Sequence, residues 1–197
     1  MGRALRADAE RSVRAILEAA ERVLAQDAGA SMEQIAEAAG LTRITVHRRF
    51  ANRQALLEAL AVSAKQQLIE AIEDARPDSA PALVALYRVT SNVLRVKADW
   101  RFTLSHSTPH SQAAAALWVE IDAHTVELLT RAQREGLLAP TTDLQWTRQV
   151  YYALLSEALN LPAQEDSATP DPDVLATLVI DTLLYGAGAQ GIASAAR

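Results

Sequence analysis

Residues 31–50 read SMEQIAEAAGLTRITVHRRF: a helix, a tight glycine turn and a second, strongly basic helix. Ser31 and Gln34 stand at capping-box spacing, which starts a helix near Met32. Met32, Ile35, Ala36 and Ala39 then share one helical face. Gly40 supplies the positive φ that closes the helix. Thr42 caps the next one. Ile44, Val46 and Phe50 give this second helix an apolar side, and Arg43, Thr45, His47, Arg48 and Arg49 surround that side. Two short helices joined by a turn, the second basic, form the geometry that carries side chains into a DNA major groove.

The flanking residues extend the pattern. Upstream, Val13, Ile16, Leu17, Ala20 and Leu24 make an amphipathic helix whose apolar stripe covers the back of the pair. Downstream, Asn52 caps a fourth helix and places Arg53 in its first turn. A cation beside free backbone N–H groups is suited to clamp a phosphate. Between Thr42 and Arg53 the cations are Arg43, Arg48, Arg49 and Arg53, with no acid among them. A solvated charged surface normally mixes signs, so this run is notable in an acidic chain.

These first 55 to 60 residues resemble the DNA-binding domain of the TetR (tetracycline repressor) family of bacterial transcription regulators. The resemblance rests on Ala38-Ala39-Gly40, Leu41-Thr42, Thr45-Val46, Arg48-Arg49-Phe50, Arg53 and Leu56-Leu57, at that spacing. His47 stands where the family more often has a tyrosine that touches the phosphate backbone, and histidine can still donate to a phosphate. Arg53 stands where lysine is usual, which keeps the charge and changes the geometry. Beyond about residue 60 family members share little sequence, so the resemblance there implies architecture and not a ligand.

Composition agrees with an all-α protein. Half of the 197 residues are hydrophobic but only 5% are aromatic. Alanine and leucine, both helix formers, supply most of the apolar content. The net charge of −5 divides unevenly: residues 1–60 carry nine Lys/Arg against eight Asp/Glu, residues 61–197 ten against sixteen. A local positive face binds DNA even on an acidic molecule. With no cysteine there is no disulfide, thiolate metal site or cysteine nucleophile, which fits a reducing cytoplasm. No signal-peptide core is evident, and the longest apolar run, Ala113 to Val119, is too short to cross a bilayer.

Past residue 60 the periodicity predicts helices over about 53–75, from Leu83 through Leu94, over 112–135, over 143–161 and over 174–185. Breaks fall at Arg76–Pro81, around Pro109, at Gly136–Pro140 and across 163–173, and the tail 186–197 reads as frayed. The domain expectation is a helix-turn-helix, three-helix DNA-binding domain over 1–55 and a helical effector-binding and dimerisation domain over 56–197. The last two helices are apolar over more than one face, which points to a symmetric interface of two helices per subunit. Tyr151, Leu155, Ala158, Leu159, Leu175, Leu178, Val179 and Thr182 are its candidates; the resemblance implies the same arrangement.

For a small apolar effector, neutral or cationic, the candidates are Tyr87, Asn92, Trp100, Phe102, Trp118, Ile121 and His124, on middle helices where the family encloses a ligand cavity. His124 shares a stripe with Leu117, Ile121 and Leu128, and a satisfied core histidine is the alternative reading. The rival class is an enzyme. His106 and His110 are four apart, with Asp99 and Glu120 as possible carboxylates, but Pro109 intervenes and no HExxH, phosphate loop or nucleophile elbow is present. The expectation is therefore a non-enzymatic regulator without cofactor or metal. Its partners are double-stranded operator DNA, a second copy of itself and an effector, with no membrane. What the family implies is a homodimeric repressor in which a ligand moves the helix beginning at Arg53. A DNA-binding dimer that senses nothing stays open.

Overall fold

The computed structural model describes residues 2–106, 112–161 and 171–186, and the described residues form helices and no strand. In chain order they are α1 (Gly2–Gln26), α2 (Met32–Ala38), α3 (Arg43–Arg49), α4 (Arg53–Asp74), α5 (Ala82–Asp99), α6 (Arg101–His106), α7 (Gln112–Arg134), α8 (Leu144–Ala158) and α9 (Pro172–Tyr185), with a 3-10 turn at Pro77–Ser79. The fold is all-α, as composition and periodicity require. Most of the loop expected over 163–173 and nearly all of the tail expected over 186–197 lie outside the described residues. The chain packs as two compact units, residues 1–66 with 100–117, and residues 67–99 with 118–197. The boundary expected at 55/56 falls within α4.

The local chemistry of the first unit follows the sequence closely. Ser31 caps α2 by accepting from the Gln34 N–H while the Gln34 side chain accepts from the Ser31 N–H at 2.7 Å. Gly40, at φ +66, ends the helix: its N–H donates to the Glu37 carbonyl at 3.0 Å, and the Leu41 N–H donates to the Ala36 carbonyl at 2.9 Å. That bond pair is the Schellman closure, and it needs the left-handed residue that glycine supplies without Cβ strain. Thr42 caps α3 by accepting from the Thr45 N–H at 3.2 Å, and Asn52 caps α4 by accepting from the Ala55 N–H at 2.9 Å.

Ile16 and Ala20 of α1, Ile35 of α2, Val46 of α3 and Leu56 and Leu60 of α4 are fully buried together in this unit. Burial of each such aliphatic side chain is worth roughly 2 kcal/mol. α1 packs against α2 and α6, and α2 against α3. Two charged groups are buried in the same unit. Glu21 accepts from the Phe102 N–H at 2.6 Å, the Thr103 N–H at 3.1 Å and the Thr103 hydroxyl, so a carboxylate of α1 holds the start of α6. Lys65 donates to the Ala114 carbonyl at 2.8 Å, and burial lowers its pKa.

In the second unit α9 packs against α5 and α8. Leu86, Leu94, Leu129, Val179 and Ile180 are its most buried aliphatic side chains. Polar ties add direction: Thr90 and Tyr151 share a hydrogen bond at 2.9 Å, the Tyr87 hydroxyl donates to Asp181 at 2.5 Å, and the Ser91 hydroxyl donates to Asp173. The Arg131 guanidinium donates to the carbonyls of Pro77 at 2.8 Å and Ala80 at 3.0 Å, pinning the 3-10 turn to α7.

Candidate nucleic-acid interface

The surface of α3 is sorted by its own helical period. Val46 is fully buried and anchors the helix, with Thr45 and Arg49 half-buried beside it. Arg43, Ile44, His47 and Arg48 are exposed along one arc of the helix, Ile44 and Arg48 facing away from Val46, and Thr42 is exposed at the N-cap. The Thr42 and Thr45 hydroxyls lie 2.9 Å apart, which fixes both at the start of the helix. Two arginines and a histidine on one outward arc, carried by a helix held at both ends, give a positive reading face of major-groove size.

Ile44 corrects the sequence expectation. Its residue type groups it with Val46 and Phe50 on the apolar side, yet it is 80% exposed. The reason is angular: two residues before Val46 on a helix is about half a turn away, so both cannot face the core. An isoleucine displayed among cations is a functional candidate that residue type alone concealed. Its position relative to Val46 was the available signal.

Arg53 has a competing occupation. Its guanidinium donates to the carbonyl of Ala28 at 2.5 Å and to that of Ala30, fastening the α1–α2 loop to the start of α4. These bonds use two of its five N–H donors. Arg43 forms an ion pair with Glu33 of α2.

The seven effector candidates are divided between the two units. Trp100, which is buried, and Phe102, half-buried, belong to the first unit; the other five belong to the second. Tyr87 and Asn92 border an open groove with Arg88 and Arg95. The Tyr87 hydroxyl donates to Asp181, and the Asn92 side-chain amide donates to the Ala71 carbonyl at 3.0 Å. Trp118 is 44% exposed and packs on Tyr152 with ring centroids 5.6 Å apart, while Ile121 is buried. His124 alone of the seven lines a narrow apolar cleft, with Ile72, Leu86, Val89, Leu128 and Tyr151, whose volume is about 20 Å³. That is room for roughly one water molecule. His124 also borders a wider, charged opening of about 430 Å³ with Glu73, Asp78, Glu127 and Arg131.

The interface candidates divide sharply. Tyr151, Leu155, Ala158, Leu175 and Val179 are at most 5% exposed within the single chain. Leu159 and Thr182 are half-buried, and Leu178 is 50% exposed. A residue already enclosed by its own chain has little surface left for a partner, so the first five are core residues of the second unit. The large apolar side chains that α8 and α9 leave exposed are Trp146, Val174, Leu178 and Tyr185. Val174, Leu178 and Tyr185 fall on one face of α9.

Of the metal-site residues weighed in the sequence, His110 lies outside the described residues. Among the described residues no group of three or more His, Asp or Glu side chains is placed to hold a metal ion, and no helix is long and apolar enough to cross a membrane.

Comparison with known proteins agrees with this geometry. Residues 16–60 match the family described as bacterial regulatory proteins, tetR family. The HTH-type transcriptional repressor LfrR of Mycolicibacterium smegmatis is 38% identical over 147 residues, which is 74% of this chain and 76% of that protein. The crystal structure of LfrR in complex with proflavine superposes with a TM-score of 0.72 at 30% identity, covering 91% of this chain and 98% of the other. The TetR family regulator PfmR from Thermus thermophilus shares the fold at a TM-score of 0.72 and 18% identity, covering 88% of this chain and 99% of that one. The helix-turn-helix, the exposed basic arc of α3 and these likenesses together place the chain in the TetR family of DNA-binding transcription regulators, which are not enzymes.

Proposed function

We propose that the protein is a cytoplasmic, homodimeric repressor that places α3 in the major groove of operator DNA and releases it when a small apolar molecule binds the second unit. The observation that carries the DNA-reading part is the outward arc of α3, with Arg43, Ile44, His47 and Arg48 exposed while Val46 is buried. Arg43 suits the O6 and N7 acceptors of guanine, and Ile44 suits the C5 methyl of thymine. Thr45 sits next to this face. His47, Arg48 and Arg49 suit phosphates, which fix register without reading sequence. Two copies bring two such helices to successive major grooves about 34–36 Å apart. The apolar face of α9 formed by Val174, Leu178 and Tyr185 supports the dimer, since burial against a second copy is its most direct use.

For the effector, His124 at the junction of the apolar cleft and the charged opening supports a molecule with an apolar body. LfrR crystallises in complex with proflavine, which makes that dye a suitable probe. Release requires the ligand to prefer the non-binding state by roughly 5 kcal/mol if occupancy is to shift from nearly full to nearly empty. The narrowness of the cleft favours a second reading, a dimer that senses nothing. Selection of DNA sites from random duplexes, followed by titration of the selected complex with proflavine, tests both parts. Recovery of an inverted repeat supports the DNA reading, and release by dye supports sensing. A selected repeat that no dye releases, with no dye bound to the free protein, supports the second reading.

A further inference from the structure

Arg43 is the first residue of α3, and Glu33 is the second residue of α2. Their side chains form an ion pair across the turn although both are well exposed, at 64% and 60%. Among the described residues this is the ion pair that α3 makes. The carboxylate lies in the first turn of α2, where the helix dipole is favourable to an acidic side chain. An acid on a face that meets phosphates opposes binding, so its presence there calls for a purpose other than affinity.

An exposed pair of this kind contributes little to stability. Its effect is on where the guanidinium points. A free arginine at the start of a reading helix swings between base edges and the nearest phosphates, and its long side chain has the rotamers to do so. One edge of the fork held by Glu33 leaves the other donors to face outward, because guanidinium carries five N–H groups. Partial neutralisation by Glu33 also removes much of the attraction toward phosphate, which is non-directional and blind to sequence.

We propose that Glu33 is a positioning residue that sets DNA sequence specificity: by holding Arg43 it reserves this arginine for a base edge, guanine being the base with matched acceptors. The proposal rests on the placement of α3 in the major groove argued above. It assigns to α2 a direct part in discrimination.

The test compares the wild type, Glu33→Gln and Arg43→Ala in selection from random duplexes, followed by salt titration of binding to the wild-type site and to an unrelated duplex. Thermal melting of each variant checks that the fold is intact. The expected result is that Glu33→Gln loses preference at the same base position as Arg43→Ala while binding unrelated DNA more tightly. Its salt dependence steepens as one arginine per subunit turns to phosphate. With a slope of about 0.9 per contact, two contacts give roughly a tenfold greater loss of affinity between 50 and 200 mM salt. A Glu33→Gln protein with the wild-type site preference at every position and an unchanged salt slope would overturn the role of Glu33 while leaving α3 in the groove. A wild type that selects no site, or an Arg43→Ala variant with the full wild-type preference, would overturn the placement of the helix or of Arg43, and this proposal with it.

Discussion

The Arg53 guanidinium donates to the carbonyl oxygen of Ala28 at 2.5 Å, tying the first turn of α4 to the loop that precedes α2. With its second bond to the Ala30 carbonyl, it holds that loop at two points. Arg53→Ala is therefore expected to lower stability by about 2 kcal/mol, the range of hydrogen bonds to charged groups. DNA affinity falls mainly through that loss. Arg53→Lys recovers only part, since an ammonium lacks the planar fork that reaches both carbonyls. Urea unfolding of the three proteins checks the order. Wild-type stability in Arg53→Ala, with weaker binding and a reduced salt slope, would return Arg53 to the role of a phosphate clamp.

Charge substitutions on α8 and α9 are expected to separate by burial. Leu178 is half exposed, so Leu178→Glu should keep the helical spectrum and melt near the wild type while sedimenting as a monomer and losing operator affinity. Leu155 is 4% exposed inside its own chain, so Leu155→Glu should unfold the second unit, an unpaired buried charge costing several kcal/mol. Circular dichroism with sedimentation velocity separates the outcomes. A folded, monomeric Leu155→Glu would instead put that residue on the interface.

Alkaline stability provides a third check. Tyr151 and Tyr152 are each pushed up to about 12, chiefly by burial, and Tyr87 to about 12, chiefly by the bond it donates to Asp181. The folded protein holds these protons after the unfolded chain has lost its own near the ordinary phenol value of about 10. Their contribution is therefore complete below about pH 10 and is lost as pH rises from there through about 12. Denaturant unfolding at roughly pH 9, 10 and 11 should show the decline, and Tyr151→Phe should be less stable at the lowest of these yet decline less steeply.

His124→Leu tests the cleft. Half-buried against Leu128 and Tyr151 at the edge of the opening, His124 is expected to tolerate leucine with a change of under about 1 kcal/mol in stability. Operator binding should be unchanged and proflavine binding weakened. Joint loss of stability and operator binding would mark it as a core residue.

What the sequence made legible was local. The caps at Ser31, Thr42 and Asn52 and the closure at Gly40 depend on residues within about four positions, and all are found as read. What it hid was directional or distant. Ile44 carries the right residue type for the core on the wrong side of Val46. Arg53 finds its partners 23 and 25 residues upstream, which no spacing rule reveals. Leu155 and Val179 lie on helices that are apolar over more than one face. Such a pattern states that much is buried without stating whether the chain itself or a second copy buries it. The effector candidates on the middle helices rest on the family resemblance, which implies a cavity there without giving its geometry in this chain.

The most direct test of the central claim, that the outward arc of α3 reads DNA from a symmetric dimer, is site selection with the wild type beside an Arg43→Ala/Arg48→Ala double variant, read by nuclease protection of the recovered sites. The account predicts an inverted repeat with two protected half-sites about one helical turn or a comparable spacing apart. It predicts loss of both selection and protection in the double variant, whose exposed substitutions leave melting unchanged. Wild-type selection by a folded double variant would contradict it.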